Sequence, residues 1–161
     1  MTQPLKEYDF YNMDPFFRDL GDLQSKFLSL EFYLRTFLFQ HGGTPAMQNF
    51  DSISVGDLVD ENAFTSWDSL GILIDKYNQV VQRKDPALVI SRGVVEIRDA
   101  LAHGRVYRRS VKDPPRLLKF SRVDKTTQKV KTEFAETLTP PTLSKWNLFM
   151  FMTLHKVQES L

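Results

Sequence analysis

At Gly104 the hydrophobic period of the chain changes, and that change limits the folds open to it. Before Gly104, Ala87, Ile90, Val94, Ile97 and Leu101 recur every three or four residues, which is one apolar helical stripe. After it come three short runs, 106–111, 117–123 and 130–138, rich in β-branched and aromatic side chains. Asp113-Pro114-Pro115 and Asp124-Lys125-Thr126 separate these runs as turns. Asp85-Pro86 places an acidic cap and a proline at the start of the stripe, so a helix is expected over 86–103. Gly104 is expected to end it in the left-handed conformation that glycine tolerates.

Two helices are expected upstream. Phe16, Leu20, Leu23, Phe27, Leu30, Leu34 and Phe37 form a long seam after Asp14-Pro15, giving a helix over 14–40 that His41-Gly42-Gly43 ends. Phe17, Leu28 and Leu38 widen its stripe, so it should meet two neighbours. Glu31 and Arg35, one turn apart, read as a surface ion pair. Residues 1–13 read as an irregular arm and 44–61 as a loop. Thr65 or Ser66 can cap a helix over 66–82, with Trp67, Leu70, Leu73, Ile74, Tyr77 and Val81 facing inward. Downstream, Pro140-Pro141-Thr142 introduces a last helix over 143–160. Trp146, Phe149, Met150, Phe151, Met152, Leu154 and Val157 leave it apolar on nearly every side, as in a buried or interface helix. A chain of 161 residues suits one domain. The expected fold is therefore mainly α: an antiparallel four-helix bundle with a three-stranded antiparallel β-meander (105–138) inserted before the last helix.

Composition removes several classes of function. There is no cysteine, which excludes disulfides and thiolate metal sites. The three histidines stand apart in sequence, so neither a metal nor a cofactor is expected, and His155 reads as a core or interface residue. No glycine-rich phosphate loop is present, and Ser91 lacks a nucleophile-elbow context. The N-terminus has no basic-then-apolar leader pattern. No apolar run is long enough to span a bilayer. A cytoplasmic protein without a membrane partner is expected.

The net charge of +1 conceals a segregation. Between 105 and 131 stand ten basic residues against Asp113 and Asp124, a local net of +8. Such a field suits a polyanion such as RNA. Arg105, Tyr107, Arg108, Arg109, Lys119 and Arg122 are the candidate contacts. Lys and Arg also line the wet faces and edges of ordinary strands, and that reading stands beside the first.

Arg98, Asp99 and His103 crowd the last turns of the central helix. Five helical residues rotate by about 140°, so Arg98 and His103 share a face only if the helix ends near His103 and the imidazole turns back. Asp99, four residues before His103, can reach it. Histidine ionises near neutrality and can move a proton as general acid or base. Arginine cradles a phosphate bidentately. With the ribose 2′-hydroxyl as nucleophile, these parts suffice to cleave RNA without a metal.

The run Arg98-Asp99-Ala100-Leu101-Ala102-His103 resembles the signature of the HEPN superfamily: an Arg, a polar residue beside it, and a His after four to six intervening residues. The apolar helix before it and Gly104 after it are also similar to that family. The resemblance implies a helical bundle acting as a homodimeric, metal-independent endoribonuclease of the toxin or defence type. The Arg and His of two subunits would share one cleft, and a cognate antitoxin protein is a possible partner. It implies catalytic roles for Arg98 and His103, with Asp99 as the polar companion. The alternative is a non-catalytic HEPN-like module binding RNA, a nucleotide or a protein. One subgroup has a Tyr two residues after the His; here that position is Arg105, and Tyr107 follows two later. The basic meander lies outside the resemblance.

Overall fold

The fold was obtained as a computed structural model that describes residues 15–42, 52–110 and 113–161. The expected arm over 1–13, the Asp14 cap and the first part of the 44–61 loop lie outside these residues. Four helices are present: α1 (Pro15–His41), α2 (Leu70–Lys84), α3 (Gly93–His103) and α4 (Pro140–Glu159). Between α3 and α4 lie β1 (Arg105–Tyr107), β2 (Arg116–Phe120) and β3 (Thr132–Thr137), an antiparallel sheet in the order β1-β2-β3. Val106 pairs with Leu117 and Leu117 with Glu136. A mainly helical domain with a small meander before the last helix is thus what forms. The strands are shorter than the runs that announced them.

The seam expected on α1 is buried through Leu23, Phe27, Leu30, Leu34 and Phe37. It meets Leu143, Trp146, Met150, Thr153 and Val157 of α4. Tyr77 of α2 joins the layers. Its ring packs edge-on to Phe37 with centroids 4.8 Å apart. Its hydroxyl lies 3.2 Å from the Leu88 carbonyl and 3.4 Å from that of Lys156. Burial pushes the Tyr77 phenol above its ordinary pKa.

The helices do not alternate in direction as expected. Asn147 of α4 bonds both the Asp19 carbonyl and the Lys26 ammonium of α1, and Phe16 lies by Leu143, so α1 and α4 run parallel. Arg35 reaches Asp68 just before α2, while Phe37 packs on Tyr77 within it, so α1 and α2 also run parallel. The connection between 42 and 69 is long enough to return the chain beside α1 before α2 begins.

Three boundaries move, the first two for reasons of tertiary contact. α2 begins at Leu70, capped by the Ser69 hydroxyl, because Thr65 and Ser66 are engaged upstream with Asn62 and Arg35. Trp67 consequently stands fully exposed instead of in the core. Asp85 does cap the Ala87 amide before Pro86, but only a 3-10 turn, Pro86–Leu88, follows. The Asn78 carboxamide takes both the amide and the carbonyl of Ile90, at 3.0 and 2.9 Å, which holds the backbone off the helical path. α3 starts afresh at Gly93. α4 begins at Pro140, with the Thr139 hydroxyl accepting from the Thr142 amide.

Gly104 ends α3 with φ −77° and ψ 175°, extended and not left-handed. Glycine is required there by space. A Cβ would come within 2.2 Å of the Ala100 carbonyl oxygen and 2.8 Å of Leu117 Cδ1. On α4 the outward side carries exposed Leu148, Phe151 and Met152. His155 is exposed beside Glu159 at 3.3 Å, so it is no core residue. Among the described residues no helix is long and apolar enough to cross a membrane.

Candidate functional site

Arg98 and Asp99 open onto a small cleft of about 140 Å³, shared with Glu31 of α1, Val95 of α3 and residues Asp68 to Gly71 at the start of α2. The periodicity of α3 explains their position. Val94, Ile97 and Ala100 point into the core, which turns Arg98 and Asp99 toward the seam between α3 and α2. Arg98 Nη1 lies 3.2 Å from Asp99 Oδ1, and both side chains remain partly open to water.

Arg35 stands behind the opposite wall and holds Glu31 and Asp68, which line it. Its side chain is only 13% exposed, and the guanidinium grips Glu31 Oε1 at 2.8 and 3.2 Å. The same group donates to the carbonyls of Ala63 at 2.7 Å, Ser66 at 3.2 Å and Asp68 at 3.2 Å. The pair expected to be a surface contact is therefore a clamp that anchors the segment leading into α2. Asp68 carries its own partners, Lys76 Nζ at 2.6 Å and Ser66 Oγ at 3.2 Å. The Lys76 hydrogen bond is the main cause of an Asp68 carboxyl held below the ordinary carboxylate range.

His103 is the last residue of α3, exposed, and does not line this cleft. No hydrogen bond among the described residues joins it to Arg98 or to Asp99, whose carboxylate is turned to Arg98 instead. Within one chain the two candidate catalytic residues thus occupy adjoining but separate surfaces, as the 140° rotation of an uninterrupted helix requires.

Of the candidate RNA contacts, Arg105 and Tyr107 lie exposed on β1, Arg108 and Arg109 exposed just beyond it, and Arg122 exposed after β2. Lys119 differs. It is largely covered on β2 and lies 3.5 Å from Glu133 of β3, so it belongs to the sheet. The sheet's inner side is closed by buried Leu117 and by Phe134, whose ring approaches Trp146 at 6.0 Å. Across the other side stand Arg105, Tyr107, Arg116 and Ala135.

Glu31, Arg35 and Asp68 were not among the sequence candidates. The signal available was slight: Arg35 follows the core residue Leu34 on a helix whose interior positions are otherwise apolar. Asp68, far away in sequence, carried none. Among the described residues no group of three or more His, Asp and Glu is arranged to hold a metal ion. No family model matches the chain, and no curated protein or solved structure is significantly similar to it.

Proposed function

We propose that the chain is a HEPN-type, metal-independent endoribonuclease that acts as a homodimer, with Arg98 and His103 from two copies forming each site. What supports this is that Arg98 and His103 occupy the last two turns of one helix, both reachable from solvent, and that no core contact consumes either side chain. Arg98 would stabilise charge on the scissile phosphate, and His103 would transfer a proton to or from ribose or leaving group. Asp99 would orient Arg98. The exposed basic residues Arg105, Arg108, Arg109 and Arg122, with Tyr107, would hold the RNA strand by phosphate contact and stacking. The separation of Arg98 from His103 within one chain is the reason a second copy is invoked. A cognate antitoxin is the natural restraint on such an activity.

The test is cleavage of mixed RNAs by the purified chain in EDTA. A 2′,3′-cyclic phosphate product is expected, and His103→Ala or Arg98→Ala should each lower the rate by about 10²-fold or more. Full activity in His103→Ala, or cleavage abolished by EDTA, would remove the proposal.

A second reading has an observation of its own. Glu31, Asp68 and Asp99 bring three carboxylates to the cleft that holds Arg98, an environment that disfavours a phosphate. A non-catalytic HEPN-like module, binding RNA on the sheet alone or binding a protein, accounts for that. Salt-sensitive RNA retention without cleavage would select it.

A further inference from the structure

Charge in this protein is separated along the chain and in space. From 42 to 75 there is no Lys or Arg, against Asp51, Asp57, Asp60, Glu61, Asp68 and Asp75. The described part of this stretch before α2 is an arm that opens with a local turn at 54–57. The Asp57 amide donates to the Ser54 carbonyl, and the Ser54 amide to Asp57 Oδ2. Arg35 roots the far end of the arm on α1 through Ala63, Ser66 and Asp68. Along the arm, Val55 and Leu58 are fully exposed and Ile53 and Val59 partly so, interleaved with the acids. Single exposed apolar side chains are ordinary, but four within seven residues form a patch that marks a contact surface.

The basic sheet offers the complement. Its open side and turns expose Arg105, Arg116, Arg122 and Lys125, and between them Tyr107, Val123 and Val130. Acidic and apolar on one surface, basic and apolar on the other, the two match in both respects. Among the described residues of one chain they do not meet through charge. Among the described residues Asp68 pairs with Lys76, Asp75 with Arg92 and Lys119 with Glu133, and no ion pair joins arm to sheet.

We propose that the acidic arm, residues 53–61, of one copy seats on the open side of the basic sheet of a second copy, and that the exchange is reciprocal across a two-fold axis. Reciprocity follows because each chain carries both surfaces, so a closed pair buries two identical contacts. Apolar side chains supply burial, and opposite charges set register and speed encounter. The chain runs on from the arm to Asp68–Gly71 in the wall of the Arg98 cleft, and the sheet begins two residues after His103. The association does not depend on catalysis, and the occupied sheet is closed to other polyanions until the arm leaves.

Sedimentation equilibrium of the full chain between 1 and 100 micromolar, at low and high salt, tests it. The wild type is expected to form a two-chain species that weakens as salt rises. Asp60→Lys with Glu61→Lys, and separately Arg105→Glu with Arg116→Glu, should each weaken association at least tenfold while circular dichroism stays unchanged. Leu58→Ser serves as an arm variant that alters no charge and should also weaken it. Mixing the two charge-reversed proteins should restore a two-chain species, since both contacts are again of opposite sign. A monomeric wild type at 100 micromolar overturns the proposal, and so does a dimer indifferent to both reversals. RNA retention lost on sheet reversal in a chain that is monomeric throughout also overturns it, and leaves RNA as the sheet's occupant.

Discussion

The helical body and the charged periphery of this protein spend the same kinds of side chain in opposite ways. Trp146 is buried in the body against Leu143 and Met150, with Phe134 beside it, while Trp67 stands fully exposed in the arm. Arg35 is 13% exposed and holds a carboxylate and three carbonyls. Arg98 is 40% exposed and pairs with its neighbour Asp99. In the body Trp146 and Arg35 have their partners inside the chain. In the periphery apolar and charged groups face water in excess of what folding needs.

The tryptophans give the largest test of this contrast. Trp146→Ala should destabilise by about 3–5 kcal/mol, through lost burial and the cavity left behind. Trp67→Ala should stay within about 0.5 kcal/mol, as for a surface site. Urea unfolding of the two variants measures the difference, and comparable losses would mean that the arm is part of the core.

The arginines come next. Arg35→Met should cost about 2–3 kcal/mol, because Glu31 and three carbonyls lose their donor in a partly closed site. Arg98→Met should change stability by no more than about 0.5 kcal/mol, its pair being solvated. Loss of stability in Arg98→Met would make that residue structural and weaken its assignment to chemistry.

Gly104 marks the border between the two regions. Gly104→Ala should cost about 1–3 kcal/mol, since its Cβ would strike the Ala100 carbonyl and Leu117. Thermal unfolding reads this, and a neutral result would show that the joint between α3 and β1 can shift.

The smallest effect is acid dependence at the cleft wall. The Asp68 carboxyl is lowered in the folded state, chiefly by Lys76, so the folded chain takes up that proton less readily than the unfolded one. Its stabilisation is therefore present above the ordinary carboxylate range and is lost as pH falls through the folded value. Lys76→Ala should remove at most about 1 kcal/mol at neutral pH and flatten the acid limb of a stability–pH curve. An unchanged curve would mean that the pair contributes nothing to folding.

Much of the architecture was legible because helical and strand periods are local properties. The α1 seam, the inward face of α2, the stripe of α3 and the meander followed from residue spacing alone. So did the concentration of cations on one segment and the crowding of Arg98, Asp99 and His103 at a helix end. What spacing could not supply were choices made by groups distant in sequence. Asn78 captures Ile90 and so delays α3, although Asp85-Pro86 has every local mark of a helix start. Arg35 draws in the carbonyls of 63, 66 and 68, which moves the start of α2 and leaves Trp67 outside. Gly104 is demanded by the approach of the Ala100 carbonyl and of Leu117, not by a left-handed φ. By itself the sequence determined which residues prefer helix, strand or water, since these are free energies of single residues and their near neighbours. The tertiary structure alone decided which polar groups capture which backbone atoms, because such a bond forms only once packing has brought its two ends within about 3 Å.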